Sequence, residues 1–336
     1  MQNDVLQFLK ERLEKRYSYN LTPKDKRKLD QNPADFIFER ITSGKFKKTK
    51  ADELTAENCR KKIDSAVSSN LPIKFTFPFG GYKLHSLPSA PMTDWAEFFM
   101  IAYYADFLNQ IAEHYKPGVE LAFSSDEVII NRLDNIPQGE LDGYTDSFKE
   151  ILHLFNQHLA PNLKIVLQRV RDLYESEEEF EKELQKNMNE TKDNWDGFDD
   201  VKKAKRKSSF ILNYNFAGEE DRTDLNQEEL EDLLRSNTQL HDAYGLLSKR
   251  KDFVRGSDVI VLFTTPIPDA ITLGTTRYSA VKFWTGFGVL KRRSSSYEEH
   301  VLSPKQLSLM GDFEEVRVDS LTTLKNSNLH TIRIYE

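Results

Sequence analysis

Cysteine is almost absent from this sequence, in which Cys59 is the only one among 336 residues. A single thiol cannot form an intramolecular disulfide, and it excludes a metal site of the CxxC type. No histidine or asparagine pattern accompanies Cys59. We therefore interpret it as an unreactive thiol on a helix rather than as a nucleophile.

Long apolar runs are also missing. No stretch approaches the roughly 20 apolar residues that a membrane-spanning helix needs. Residues 1–10 carry charged side chains within a short apolar run, and so match neither a signal peptide nor a transit peptide. We therefore expect a soluble, cytoplasmic protein that does not act at a membrane.

A large excess of either charge is the third absence. The 47 lysine and arginine residues are outnumbered by 54 acidic residues, which gives a formal net charge of -7. A slightly acidic chain has no general affinity for nucleic acid. With 38% hydrophobic residues, the chain is able to bury a substantial core. We expect a globular protein whose partners are small molecules.

Several catalytic signatures are not found. The chain has no GxGxxG, GxxxxGKS/T, GxSxG or HExxH pattern, which excludes the simplest forms of dinucleotide enzyme, P-loop NTPase, serine hydrolase and zincin. His153 and His158 are five residues apart, a spacing that puts them on different faces of a helix. Gly286-Phe287-Gly288 is only a GxG within a strand-like stretch, and we interpret it as a bend or bulge. We expect neither a metal nor a cofactor.

Strand-like and helix-like segments alternate in the middle of the chain. The pattern predicts strands at 73–77, 119–123 and 163–167 and helices at 93–115 and about 140–159. Lys116-Pro117-Gly118 should end the first of these helices, because proline cannot continue it and glycine permits a turn. A strand, helix and strand in this order places ligands at the carboxyl ends of the strands. The predicted fold class is α/β with a Rossmann-like core.

The flanking segments have different patterns. Residues 1–70 show helical spacing and predict a helical N-terminal extension. Residues 71–336 are predicted to form one α/β catalytic domain with a charged helical insertion at about 170–210. Its C-terminal part should be antiparallel and β-rich, with strands at 259–263, 278–290 and 329–335.

The charged segment 175–207 contains an acidic run followed by a basic run at 202–207. Phe180, Leu184 and Met188 keep one apolar stripe at helical spacing. This pattern predicts a solvated helix with one docked edge. The basic run is either a solvated helix end or a site for an anionic partner.

Two adjacent glycines, Gly80 and Gly81, follow the first predicted strand in the sequence FPFGGYK. Glycine lacks a Cβ and therefore lets the backbone turn tightly or approach a ligand closely. The pair predicts either a tight turn or a ligand cradle, and the stretch alone leaves both open.

A set of short motifs follows in a fixed order from Phe77 to about Leu154. These are FPF, MTDWAEFF, HYKPGVELAFSSDEVI with Tyr115, Pro117, Gly118, Ser125 and Asp126, and LDGYTDSFKEIL with Tyr144. The ordered set, about a quarter of the chain, resembles the isocyanide (isonitrile) synthases of the pyoverdine and dityrosine biosynthesis type. The similarity is that of a divergent member. In the family a lysine and a small polar residue follow the FP pair, whereas Phe79-Gly80-Gly81 follows it here and the nearest lysine is Lys83. Glu127 replaces the glycine that usually follows the Ser-Asp pair.

The resemblance implies a Rossmann-like, metal-independent enzyme of secondary metabolite biosynthesis. Such an enzyme condenses an amino acid, usually tyrosine or tryptophan, with ribulose 5-phosphate and converts the amino group to an isonitrile. It also implies a downstream pathway oxygenase as a possible partner. The arginine-bearing C-terminal strand of the family is echoed only by residues 277–283, and its later Trp-His pair is not recognisable here.

That chemistry requires a cationic clamp for the phosphate. Arg277 is the first candidate because a guanidinium can engage two phosphate oxygens, and Lys282 and Arg255 follow it. A solvated surface cation is the alternative interpretation of each. Backbone N–H groups of Gly80 and Gly81 could donate to the same anion.

Proton transfer and a wall for the amino acid side chain are the other requirements. Lys83, His85 and Asp126 are the candidate proton-transfer residues, because each follows a predicted strand. A structural histidine is the alternative interpretation of His85. An apolar wall for an aromatic ring is predicted from four side chains, Phe79, Tyr82, Phe283 and Trp284.

Two further functions stay open at this stage. The chain could be a different α/β enzyme that binds a phosphorylated small molecule, with its altered FP motif marking a changed reaction. It could also be a catalytically silent binding module that uses the 175–207 helix.

Overall fold

The computed structural model describes residues 2–46, 51–215, 226–248, 256–321 and 323–336. Its helices are α1 (Gln2–Glu14), α2 (Pro23–Gln31), α3 (Pro33–Thr42), α4 (Glu53–Ser68), α5 (Trp95–Ala112), α6 (Glu127–Asp134), α7 (Gln138–Asn156), α8 (Glu177–Thr191), α9 (Asp200–Asn213), α10 (Gln227–Leu247) and α11 (Pro304–Leu309). Its strands are β1 (Ile73–Phe79), β2 (Val119–Ser125), β3 (Leu163–Arg169), β4 (Ile260–Phe263), β5 (Ala270–Thr272), β6 (Phe287–Arg292), β7 (Tyr297–Leu302), β8 (Glu314–Arg317) and β9 (Thr331–Tyr335).

A parallel sheet forms the centre of the molecule. Within the described residues it has the strand order β3-β2-β1-β4-β5, and every neighbouring pair is parallel. The register pairs Phe79 at the end of β1 with Ser125 at the end of β2. The predicted α/β fold class is confirmed, and the carboxyl ends of β1 and β2 lie side by side.

Helix α5 is completely buried between the two sheets. The apolar pattern predicted one wide buried face, but all eighteen of its residues are buried. The reason is that α5 contacts β2 and β3 of the first sheet and also β6 and β7 of the second. Asp94 caps its N-terminus, and Glu97 completes a capping box. A helix that is apolar on every side is typical of such a sandwiched position.

The C-terminal strands form a second, mixed sheet. Within the described residues its order is β7-β6-β9-β8, with two antiparallel pairings and a parallel pairing of β6 with β9. The strand expected at 278–290 was too long, because only its last part belongs to β6. A short 3-10 turn, Phe283–Thr285, precedes it. Gly288 is needed because a Cβ there would lie 2.2 Å from the backbone nitrogen of Ala96 in α5.

The charged insertion is two helices, not one. Helices α8 and α9 are separated by a turn around residues 192–199, and both contact α10. Phe180 and Leu184 are buried and Met188 is partly buried, so the docked edge expected from the stripe is present on α8. The second helix, α9, carries the basic run.

The structure bears on two further expectations, the lack of a membrane-spanning helix and the low reactivity of Cys59. No helix among the described residues is long and apolar enough to cross a membrane. Cys59 is buried on α4, and burial raises the pKa of its thiol to about 12. A thiol that stays protonated at neutral pH is a poor nucleophile, in agreement with the unreactive role expected for Cys59.

Candidate active site

A cavity of about 280 Å³ opens at the carboxyl ends of β1 and β2. Its lining comes from both strand ends, from α6, α9 and α10, and from the turn before β6. The lining residues are Pro78, Phe79, Gly80, Tyr82, Asp126, Ile129, Ile130, Leu133, Asp134, Arg206, Ser209, Phe210, Asn213, Asn237, His241, Tyr244, Phe263, Lys282, Trp284 and Thr285. This is where parallel α/β sheets bind ligands.

The aromatic wall expected from the sequence is largely assembled here. Phe79, Tyr82 and Trp284 line the cavity. Phe283 is fully buried behind them, with its ring centroid 5.2 Å from that of Phe79. Three of the four predicted residues therefore face the cavity, and the fourth supports them.

The two adjacent glycines occupy different environments, and the tight turn is the role that the backbone shows. Gly81 has a φ of +74°, and a Cβ there would lie 2.2 Å from Ser125 Oγ. It is a tight-turn residue that lets the end of β1 pack on the end of β2. Gly80 lines the cavity, and a Cβ on it would lie 2.5 Å from the ring of Tyr82.

Asp126 and Lys282 bring opposite charges to the same cavity. The hydroxyl of Tyr244 donates a 2.5 Å hydrogen bond to Oδ1 of Asp126. Burial lowers the pKa of Lys282, while the negative charge of Asp126 opposes that shift. The Lys282 ammonium lies 5.3 Å from the ring centroid of Trp284. A partly desolvated lysine beside a carboxylate is suited to binding an anion or exchanging a proton.

A further cation comes from the charged insertion. Arg206 on α9 lines the cavity and donates to Asp242 Oδ1 at 3.0 Å and to His241 Nδ1 at 3.2 Å. Burial lowers the pKa of Arg206, while Asp242 opposes the shift. The basic run at 202–207 was the signal for this residue, since an anionic partner was one of its two interpretations.

Asp134 at the end of α6 adds a second acidic group. Burial raises its pKa to about 6, while a hydrogen bond from Tyr82 opposes the shift. Tyr82 Oη also lies 3.5 Å from Asn213 Oδ1 on α9. No sequence motif marked Asp134, His241 or Tyr244, because only the packing of α6, α9 and α10 brings them to the strand ends.

Lys83 is not in the cavity but in a buried ionic cluster below it. Its ammonium donates to both Glu97 oxygens at 2.9 Å and to Phe283 O at 3.0 Å, and it lies 3.0 Å from Asp94 Oδ2. Tyr144 Oη donates to Glu97 at 3.0 Å. Burial is the main cause that raises the pKa of Glu97, to about 7, although Lys83 opposes it. The cluster ties the turn after β1 to the start of α5.

The remaining predicted residues lie elsewhere. His85 is partly exposed in the loop after Lys83 and does not line the cavity. Arg277 is exposed and lines a different cavity. It does not start a strand, because residues 277–282 are irregular and a 3-10 turn follows them before β6. Arg255 lies outside the described residues.

No group of histidine, cysteine and carboxylate side chains among the described residues has a metal-binding arrangement.

The fold is similar to that of a protein whose structure has been solved. The crystal structure of PvcA from Pseudomonas aeruginosa matches with a TM-score of 0.61 at 15% sequence identity. The match covers 87% of this chain and 96% of the PvcA chain. No family model and no curated protein matches the sequence. At this identity the similarity shows a shared fold.

Proposed function

We propose that this protein is an isocyanide-synthase-like enzyme. It converts the amino group of a tyrosine-like or tryptophan-like amino acid to an isonitrile with ribulose 5-phosphate as the second substrate. The PvcA-like fold and the resemblance of the 77–154 segment support this proposal. The observation that carries it is the cavity at the ends of β1 and β2, where matched motif residues meet an aromatic wall and two partly buried cations.

The cavity offers separate surfaces for the two substrates. Phe79, Tyr82 and Trp284 form a wall against which an aromatic amino acid side chain packs. Lys282 and Arg206 supply positive charge for the phosphate, and the guanidinium can donate two hydrogen bonds to it. In this assignment Arg206 takes the place that the sequence had given to Arg277.

Asp126 is assigned the proton transfer. The reaction needs an unprotonated amine that attacks the ketone, followed by eliminations that expel phosphate and the rest of the carbon chain. Asp126 lies at a strand end within the cavity, and Tyr244 orients its carboxylate by a hydrogen bond. A carboxylate held this way can accept a proton from the substrate ammonium and return it to a leaving group.

Helices α9 and α10 form the roof of this cavity. Phe210 and Asn213 come from α9, and Asn237 and Tyr244 from α10. A roof restricts water, which would otherwise hydrolyse an imine intermediate. Lys83 and Glu97 act below the cavity as positioning residues for the turn after β1.

Product formation tests the proposal. The purified protein is incubated with ribulose 5-phosphate and each amino acid in turn, and isonitrile is detected by mass and infrared spectrum. Matched N-acetyl amino acids, which have no reactive amine, serve as the control. An isonitrile from an aromatic amino acid is expected, and no product with any amino acid would refute the proposal.

A second candidate is supported by the burial of Lys83. Its side chain is fully buried and paired with Asp94 and Glu97, so the lysine of the altered FP motif does not contact a substrate in this cavity. The alternative is another α/β enzyme that acts on a phosphorylated small molecule. Retained binding of ribulose 5-phosphate without isonitrile formation would favour it.

A further inference from the structure

A second cavity, of about 300 Å³, is formed by other parts of the chain. It is formed by α1, the segment after α3, α5, the 275–281 loop and β7. The lining residues are Phe8, Arg12, Tyr17, Lys45, Phe46, Tyr103, Asp106, Arg277, Tyr278, Tyr297 and Glu299. It shares no lining residue with the candidate active site.

The floor of this second cavity is buried and its charges are neutralised. Arg12 donates to Asp106 Oδ2 at 2.7 Å and is paired with Glu299. The backbone N–H of Tyr17 donates to Asp106 Oδ1 at 2.9 Å. Burial alone would lower the pKa of Arg12, but the two carboxylates outweigh it and raise that pKa. Arg16 Nη1 lies 3.8 Å from Asp106 Oδ1 and supplies the second positive charge. The two arginines and the two carboxylates of the floor therefore leave no net charge for a ligand to neutralise.

The rim, in contrast, is cationic. Lys45 and Arg277 are exposed, and neither pairs with a carboxylate anywhere in the part of the chain that the structure describes. Lys45 Nζ lies 3.3 Å from the ring centroid of Tyr17, and Arg277 Cζ lies 5.9 Å from that of Tyr278. Two cations that pair with no carboxylate among the described residues therefore stand at the mouth of a largely aromatic cavity.

The walls are six aromatic side chains, Phe8, Tyr17, Phe46, Tyr103, Tyr278 and Tyr297. Tyr103 and Phe46 are held rigidly, because Tyr103 Oη donates to Phe46 O at 2.6 Å and their ring centroids are 5.6 Å apart. Small-molecule sites are typically cavities of this size, with apolar walls and a few polar groups that fix orientation.

We propose that this second cavity is a binding site for a small aromatic carboxylic acid. The aromatic ring of the ligand enters between the tyrosine and phenylalanine rings, where stacked or edge-to-face contacts are favourable. The carboxylate stays at the mouth between Lys45 and Arg277, where it receives charge-assisted hydrogen bonds. An aromatic amine is excluded because its charge has the sign of the rim.

Titration calorimetry with four small probes tests this assignment. The probes are 4-hydroxyphenylacetate, its neutral amide, the amine tyramine, and the aliphatic acid hexanoate. We expect the aromatic acid to bind about 10-fold or more tightly than the amide or hexanoate, because each lacks one of the two recognised features. Tyramine should not bind.

Variants assign the binding to this cavity. Arg277→Gln and Lys45→Gln should each weaken binding of the acid by about 10-fold, and both side chains are exposed, so folding should be unaffected. Lys291→Gln is a matched control, because Lys291 also lies over a tyrosine ring, that of Tyr335, at 5.5 Å. Lys282→Gln, in the candidate active site, should leave this binding unchanged.

The outcomes separate this proposal from the proposed reaction. Equal binding of the acid and its amide, no binding of the acid, or unchanged affinity in both rim variants would overturn the aromatic-acid site. Loss of binding in Lys282→Gln would place the acid in the other cavity, which also overturns it. Isonitrile formation is tested independently and is not required for any of these results.

Discussion

Tyr244 and Asp126 are 118 residues apart in the chain, yet the tyrosine hydroxyl donates a 2.5 Å hydrogen bond to Oδ1 of the carboxylate. This contact joins α10 to the end of β2 across the candidate active site. It fixes the carboxylate that we assign to proton transfer. The proposed reaction should therefore depend on a residue far from the motifs that resemble the isocyanide synthases.

Tyr244→Phe tests this dependence. Loss of a hydrogen bond to a charged group costs about 1.5–3 kcal/mol, and we expect turnover to fall roughly 10- to 100-fold. Tyr335→Phe, which changes a tyrosine near the C-terminus, is the matched control and should retain full turnover. Steady-state kinetics and the melting temperature are measured for both variants. Unchanged turnover in Tyr244→Phe would contradict the claim that Tyr244 orients the Asp126 carboxylate for proton transfer.

Substitutions of Lys282 and Arg277 should have different effects on the reaction. Lys282→Gln should strongly raise the KM for ribulose 5-phosphate, because Lys282 lines the cavity beside Asp126. Arg277→Gln should leave both kcat and KM unchanged, because Arg277 lines a separate cavity. Kinetics with varied phosphosugar give both values. A larger effect from Arg277→Gln than from Lys282→Gln would contradict our assignment of the phosphate clamp.

Gly81→Ala should destabilise the protein. A Cβ would meet Ser125 Oγ at 2.2 Å, and φ is +74°, so we expect a loss of at least about 1–3 kcal/mol in the free energy of unfolding. Gly311→Ala is the matched control, because nothing lies within 4 Å of a Cβ there. Denaturant unfolding measures both. Equal stability of the two variants would show that the turn after β1 adapts easily.

Lys83→Met should be among the most destabilising single changes. It removes the cation that pairs with Asp94 and Glu97 in a fully buried cluster, and breaking a buried pair costs about 3–5 kcal/mol. Lys15→Met removes an exposed pair with Glu11 and should cost less than about 1 kcal/mol. Chemical denaturation compares them. A small effect at Lys83 would mean that the cluster does not hold the turn to α5.

The raised pKa of Glu97 predicts a pH effect on stability. The folded protein binds this proton more tightly than the unfolded chain does, since the pKa rises from 4.5 to about 7 on burial. The stabilising contribution is therefore complete below about pH 4.5 and is lost as the pH rises through 7. Between pH 5.5 and 8.5 the wild type should lose about 2 kcal/mol relative to Glu97→Gln. Parallel pH profiles of the two proteins would contradict this.

Local patterns predicted the parts of the fold that local physics determines. The strand segments at 73–77 and 119–123 and the helix between them have strong apolar patterns and clear end signals, and all three are present. The site residues were harder, because Arg277 and Lys282 are five residues apart and look alike in sequence. Because the backbone between them is irregular, Lys282 lines the candidate active site and Arg277 lines the second cavity.

Long-range packing decided the remaining site residues. Arg206 looked like part of a solvated basic run, and it reaches the cavity only because α9 packs against α10. Lys83 looked like a catalytic lysine, but the capping box of α5 placed two carboxylates beside it. Neither the packing of α9 against α10 nor the pairing of Lys83 with two carboxylates could be inferred from spacing along the chain.

The central claim is that the cavity at the ends of β1 and β2 joins an amino acid nitrogen to a phosphosugar carbon. The most direct measurement is NMR of the product formed from uniformly carbon-13-labelled ribulose 5-phosphate and a nitrogen-15-labelled aromatic amino acid. Our account predicts a directly bonded carbon-13 and nitrogen-15 pair in an isonitrile with the wild type, and its loss with Asp126→Asn. No such bonded pair with any amino acid, or an undiminished yield with Asp126→Asn, would contradict it.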